Sequence, residues 1–502
     1  MSILIGDNKL TLQQFYDVAV NKFKVELTDT AKAKIVKSRE VIEKGLKNNN
    51  IIYGVTSGFG SLKDVFIKFE DLQQLQYNLI RSHAVGIGEP APNAVVRGMM
   101  LLRLTCFANG NSGVRLCTAE KIVECLNKDF YPYVPVKGTV GASGDLCPLS
   151  HMVMSMLGES QAFDFTENKF VDSMKVLNKL NITPMDLHAK EGLALNNGTQ
   201  FITSWTALAC YEAVKIKKLC NLVTATTYEA LHATTKALDA DIHHARPHKG
   251  QIEAANELLK LLSPESEIQQ THSNNKVQDA YSLRCAPQVH GAAFEIIDKC
   301  VETVEIEFNS SNDNPLVFGH NDKIVSGGNF HGMPIAVCAD QLALAMAVLC
   351  NVSERRLERM VNHSLNKFMP SFLVNDAGVN SGFMIVQYAS AAIVAENRQL
   401  ANPACVHNIP TCEGTEDVVS MGGWACRKAN QSVENTYNVL SYELFTACQA
   451  LDFTKEKPVE MVNKIKTYVR EQLKIPRVVK DVYMKDYIAQ VNDFVKSQIF
   501  NL

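Results

Sequence analysis

The sequence predicts a mainly α-helical protein, with a bundle of long packed helices in its second half and a smaller region of mixed α/β character before it. Two periodic stripes carry the helical half. Leu342, Met346, Leu349 and Ser353 recur at steps of four and three, and Val433, Tyr437, Leu440, Leu444, Ala447 and Leu451 do so more cleanly. Such steps keep side chains on one face of a helix. Alanine and cysteine mixed into the stripe suit a bundle core better than a coiled-coil seam. The length, 502 residues, exceeds what one core fills and gives about three domains as a first estimate.

The elements follow in order. Residues 3–5 read as a short strand. Thr11 and Gln14 have capping-box spacing, each side chain placed to satisfy a free backbone N–H. Thr30 is expected to cap a helix running to about Asn48, with Ile35, Ile42 and Leu46 on one side. The asparagines 48–50 end it. Residues 54–60 are glycine-rich, and 131–144 are rich in Pro, Gly and Val; both read as irregular structure. The stretch 264–276 is polar and non-periodic and reads as an exposed loop. The best membrane candidate, 335–350, is interrupted by Asp340 and Gln341, and its unbroken apolar run 342–350 is too short to span a bilayer. A buried core helix is expected there.

Composition excludes more than it selects. Hydrophobic residues make up 46% and charged residues 21%, with a net charge of −3, so disordered and low-complexity classes are out. That balance gives no field for nucleic acid or an acidic membrane surface. The N-terminus has no basic stretch leading into an apolar one, so no secretory signal is expected. The 14 cysteines form no CxxC and have no zinc-finger spacing, as suits buried thiols in a reducing compartment, the cytoplasm by default. His243, His244 and His248 cluster on a polar stretch that reads as a solvated loop; no metal site is expected. P-loop, complete GxGxxG and GxSxG motifs are absent. The run Asn309-Ser-Ser-Asn-Asp-Asn-Pro315 lacks the Met and Lys of a fumarase-type signature and receives no assignment. A protein without a cofactor motif can build its own electrophile.

Gly141-Ala142-Ser143-Gly144-Asp145-Leu146 is the informative stretch. Alone it reads as a turn followed by a helix cap. With Pro148-Leu149-Ser150-His151 it resembles the histidine and aromatic amino-acid ammonia-lyase family, and the resemblance runs through the chain in the family's order. Tyr53-Gly54-Val55-Thr56-Ser57-Gly58-Phe59-Gly60 is similar to the tyrosine-bearing inner loop. Asn78 to Gly86 carries the Ser82-His83 pair of the histidine branch. Asn196-Asn197-Gly198-Thr199, Gln278-Asp279-Ala280-Tyr281-Ser282-Leu283-Arg284, Gly328-Asn329-Phe330-His331-Gly332, Asn380-Ser381-Gly382-Phe383-Met384 and Thr415-Glu416-Asp417-Val418-Val419-Ser420-Met421-Gly422 complete the series. Cys147 stands where Ala is usual, and Val418 where the histidine branch often has His.

The resemblance implies that Ala142, Ser143 and Gly144 cyclise into 4-methylidene-imidazol-5-one, with no external cofactor. The Gly144 nitrogen would attack the Ala142 carbonyl, and Ser143 would lose its hydroxyl as water. It implies a long parallel helical core in a homotetramer with shared active sites. The N-terminal region, residues 1–200, would carry the electrophile, and residues 201–502 the bundle and a lid loop. Arg284 would grip the substrate carboxylate with its planar fork. Asn197 would sit near the carboxylate or amine. Tyr281 is the expected base for the β-proton, with Tyr53 opposite. An ordinary phenol pKa of about 10 requires nearby positive charge or hydrogen bonds for that work. Gln278 and Asn329 would support by hydrogen bonding, and Phe330 and Met384 would line the pocket. His83 and Glu416 point to an imidazole substrate, since a carboxylate accepts an imidazole N–H. The implied reaction is loss of ammonia from L-histidine to give trans-urocanate. Phenylalanine or tyrosine ammonia-lyases, aminomutases and an inactive helical scaffold are the alternatives. Whether the substrate's amine or its imidazole attacks the electrophile is left open.

Overall fold

A computed structural model describes residues 2–274 and 276–497. The chain divides into two compact units: residues 1–211, 300–340 and 403–428 form one, and residues 212–299, 341–402 and 429–502 the other.

All described strands lie in the first unit, as four two-stranded pairs. Ser2–Ile5 pairs in parallel with Lys24–Leu27, where the sequence predicts a strand. The Thr11–Gln14 capping box forms as expected and opens the Leu12–Ala19 helix. The next helix, Asp29–Lys47, is capped by Thr28 rather than Thr30: Thr28 is extended, and its hydroxyl accepts from Ala31 N. Thr30 already lies within the first turn, so the residue placed to cap its free N–H groups is Thr28, and Asp29 adds a favourable charge at the N-terminus. Ile35, Ile42 and Leu46 are buried as predicted. The Asn93–Ala108 helix is buried on nearly every side. Its two arginines are buried with it. Arg97 pairs with Asp129 at 3.0 Å, and Arg103 donates to the carbonyls of Ala194 and Asn197 at 2.5 and 3.0 Å. Buried guanidinium groups are tolerated because such partners replace water.

In the second unit both predicted stripes are buried. Ser353, the one polar member of its stripe, donates to Glu443 Oε2 at 2.5 Å. Glu443 is also held by Arg356, Nε to Oε1 at 2.6 Å and Nη2 to Oε2 at 2.9 Å, with both side chains fully buried. This bidentate arrangement satisfies a charge pair that would otherwise be costly to bury. Met333–Val361 is long and apolar enough to cross a membrane by length and composition, but 72% of its apolar window is buried inside the protein.

Two expectations are corrected here. The stretch 264–276 is not a free loop. It contains a π-helical turn, Gln269–Ser273, with both end residues buried. Gln269 donates to Glu229 at 2.7 Å, and Ser273 donates to the His232 carbonyl at 3.1 Å. Part of its polarity serves inward hydrogen bonds, while Pro264, Glu265, Glu267, Gln270, Thr271 and Asn274 are exposed as expected; Asn275 lies outside the described residues. The histidine cluster is likewise structured. His243 lies in the last turn of the Ala240–His244 helix and is buried, its ring bonded to the Ala237 carbonyl and Gln251, while His244 and His248 are exposed as expected.

Candidate active site

The turn at Gly141–Gly144 is pinned from several directions within the first unit. Thr139 Oγ1 accepts from Gly141 N at 3.0 Å and lies 3.2 Å from the Gly144 carbonyl. The Gly141 carbonyl accepts from Gly332 N at 3.1 Å and from Ser420 Oγ at 3.0 Å. Gly144 has φ +71° and bridges to Gly198, and a Cβ at 144 would lie 2.3 Å from the Gly198 carbonyl oxygen. Only glycine fits both the angle and the space.

Asp145 follows at once. Its buried Oδ2 accepts from Phe201 N and Ile202 N, at 2.9 and 3.0 Å, in the first turn of the Gln200–Ala230 helix. Burial pushes this carboxyl up to about 7, while the backbone donors oppose the shift. Asp145 stands at the cap position of the Leu146–Met156 helix, as the local pattern implies, but its side chain makes no bond to that helix; nothing in its position two residues after Ser143 signals a bond some fifty residues away.

Ala142 and Gly144 are buried, and Ser143 is partly exposed. The Ser143 hydroxyl donates to Glu416 Oε1. The Ser143 carbonyl accepts from Asn197 Nδ2 at 3.0 Å. Asn197 Oδ1 is buried with no partner among the described residues. A bent backbone, no side chain at 144, an amide donor on the ring's future carbonyl and an unsatisfied buried acceptor all fit a ring built from Ala142, Ser143 and Gly144.

Glu416 is held from its other side. Thr411 Oγ1 donates to Oε2 at 2.6 Å, and the backbones of the two residues pair at 2.9 and 3.2 Å. His83 and Tyr53 both feel the Glu416 charge. Burial lowers the His83 imidazole below its ordinary value, with Glu416 opposing, and its Nδ1 lies 2.9 Å from Ser82 Oγ. The Tyr53 hydroxyl accepts from Gly60 N at 3.0 Å. Burial raises its phenol above the ordinary range, and negative charge at Cys412 and Glu416 raises it further.

Asn329 is exposed and donates to the Ser311 carbonyl at 3.1 Å; Phe330 beside it is half-buried. Sequence reasoning passed over His331, although it lies in a quoted motif. Its Nε2 is 3.0 Å from the Val418 carbonyl, which can only accept, and its Nδ1 accepts from Met333 N at 3.3 Å. The two bonds fix one neutral tautomer. The departure at Val418 is therefore a site where the backbone, not the side chain, is used.

The first unit thus brings together Tyr53, His83, Ala142, Ser143, Gly144, Asn197 and Glu416, and also holds Asn329 and Phe330. Gln278, Tyr281, Arg284 and Met384 belong to the second. There Gln278 is exposed, and Tyr281 is 71% exposed. The Arg284 guanidinium lies 4.5 Å from the Tyr281 ring centre, and its Nε is buried with no partner among the described residues. Met384 opens the Met384–Leu400 helix and is half-buried.

Known proteins resemble this chain over nearly its whole length. The family described as aromatic amino acid lyase matches residues 10–471. A histidine ammonia-lyase of Caldanaerobacter subterraneus subsp. tengcongensis is 43% identical over 99% of this chain and 96% of its own. The crystal structure of histidine ammonia-lyase from Trypanosoma cruzi superposes with a TM-score of 0.91 at 40% identity, covering 99% of this chain and 94% of that one. A tyrosine aminomutase from Streptomyces globisporus gives a TM-score of 0.92 at 34% identity, over 100% and 98% of the two chains. With a full-length match of this kind, and the family's serine-bearing turn held against Glu416, the chain belongs to the aromatic amino acid lyase family.

Proposed function

We propose that the protein is a histidine ammonia-lyase, a carbon–nitrogen lyase that removes ammonia from L-histidine to give trans-urocanate. The observation that carries the substrate is the carboxylate of Glu416, which faces Ser143 through one oxygen and is fixed through the other by the Thr411 hydroxyl, with the His83 imidazole, lowered by burial, within reach of its charge. An imidazole N–H finds a charged acceptor there, worth about 1.5–3 kcal/mol. A phenyl ring would cover the half-buried carboxylate and offer its Oε1 no donor.

Ala142, Ser143 and Gly144 would hold the self-formed 4-methylidene-imidazol-5-one, which supplies the electrophile. The chain's other residues bind, orient and move protons. Arg284 grips the substrate carboxylate in a fork, and Asn197 orients the amine end. Tyr281 takes the β-proton, its ring close to the Arg284 charge. Tyr53 keeps its proton at neutral pH because its phenol is raised, so it acts as a donor opposite the base. Gln278 and Asn329 support by hydrogen bonding, and Phe330 and Met384 pack against the ring. The two groups of residues lie in separate units of the chain, in keeping with a cytoplasmic homotetramer whose sites are shared between subunits. Residues 1–200 would carry the electrophile and 201–502 the tetramer core and lid.

The test is a substrate panel with the purified protein. Urocanate absorbance should grow with L-histidine, and phenylalanine and tyrosine should give no product. Equal turnover of phenylalanine would move the substrate to the other branch. No turnover, with an unmodified intact mass, would leave an inactive helical scaffold.

A further inference from the structure

A cavity of about 710 Å³ lies in the second unit, with Gln278, Asp279, Ala280 and Leu283 of the tyrosine–arginine segment in its wall. Its size suits a small organic ligand. Its walls combine charge and flat rings. Lys276 is committed to Asp279 at 3.1 Å and to the Leu231 carbonyl at 3.0 Å. His272 faces Glu456 at 3.1 Å. Three further cations line the cavity, Arg359, Lys367 and Lys455, and their side chains meet no anion among the described residues. The acidic groups of the wall are thus already paired, and an excess of positive charge remains.

The rings form a stack. His232 lies between His272, 4.2 Å away and 9° from parallel, and Phe368, 4.3 Å away and 15° from parallel. Phe368 is 44% exposed and lines the cavity together with the three cations. Aromatic rings of this kind bind a base by stacking, and guanidinium and ammonium groups bind a phosphate.

We propose that this cavity binds a small organic dianion with a planar ring, of the nucleoside monophosphate class, and that its occupancy alters turnover through the Gln278–Arg284 segment in its wall. The second half rests on the lyase reading; the binding does not. Nothing in the reaction uses Arg359, Lys367 or Lys455.

The experiment titrates the full-length protein calorimetrically with adenosine monophosphate, adenosine and inorganic phosphate, then repeats the histidine assay at saturating adenosine monophosphate. The monophosphate should bind about tenfold or more tighter than either part alone, and should shift kcat or KM severalfold. Arg359→Gln and Lys455→Ala should each weaken binding about tenfold and leave ligand-free turnover unchanged; the exposed Lys455 makes a misfolded result easy to recognise. Absent binding, affinity untouched by both substitutions, or equal affinity for inorganic phosphate alone would overturn the site. Binding with unchanged kinetics in an active protein would overturn the coupling. A protein that binds the monophosphate and turns over no histidine would refute the lyase reading and leave the binding site standing.

Discussion

Ser143 and Glu416, 273 residues apart in the chain, meet through a hydrogen bond from the serine hydroxyl to the glutamate Oε1. The hydroxyl that would leave in forming the proposed electrophile therefore points at the carboxylate proposed to read the substrate. One contact links formation of the reactive group to choice of substrate, and each partner can be removed separately.

Ser143→Ala removes the leaving hydroxyl. Turnover should fall on the order of 10³-fold or more, as when a covalent catalyst is deleted. The fold should persist, because the Asn197 bond goes to the backbone carbonyl of residue 143. Intact-mass measurement checks the cause: the parent chain should be lighter than its sequence by two waters, about 36 Da, and the variant should not. Near-normal activity in the variant would sink the mechanism.

Glu416→Gln keeps the shape and removes the charge. The loss of a charge-assisted acceptor predicts a fall in kcat/KM for histidine of about 10–100-fold. Thr411→Val removes only the second hydroxyl that fixes the carboxylate, and about a fivefold loss is expected, near 1 kcal/mol. Steady-state kinetics on both variants tests the order: Thr411→Val worse than Glu416→Gln would mean that the threonine matters for something other than orienting Glu416.

Gly198→Ala tests the turn against packing. A Cβ there would sit 1.9 Å from Arg103 Nη2, 2.5 Å from Gln200 Oε1 and 2.9 Å from the Asn312 carbonyl. Arg103 cannot yield without abandoning the Ala194 and Asn197 carbonyls that satisfy its buried charge. A loss of about 3 kcal/mol or more is expected, seen as a lower denaturation midpoint with unchanged slope. A midpoint within experimental error of the parent would show that the turn relaxes freely.

The helical half was legible because its signal is local. The stripe from Val433 to Leu451 states its buried face in its own spacing, and every member is buried. The capping box at Thr11 is legible for the same reason. The family motifs identified most of the candidate site, yet not its wiring. The local pattern makes Asp145 the cap of the helix that follows it, whereas its carboxylate takes its donors, Phe201 and Ile202, from a later helix. The unassigned run 309–315 turned out to be structural. Asp313 forms a buried ion pair with Lys190 at 3.1 Å, and Asn312 accepts from Gln200 at 2.5 Å. Polar residues that serve long-range buried bonds look, in one sequence, like polar residues that face water. The same ambiguity made 264–276 read as an exposed loop.

Asp145 supplies a pH test of that buried wiring. Its carboxyl is pushed from 3.8 up to about 7 by burial, so between those values the folded state holds a proton that the unfolded state has released. Stability then falls as pH rises through this window. The contribution is fully present below 3.8 and lost as pH approaches 7. Asp145→Asn cannot titrate, and its amide oxygen can still accept from Phe201 N and Ile202 N. The parent's denaturation midpoint, measured relative to that of the variant, should therefore decline from pH 4 to pH 7. A difference that stays flat, or that grows with pH, would mean that the two backbone donors and the helix N-terminus keep Asp145 ionised throughout, with the helix dipole outweighing burial.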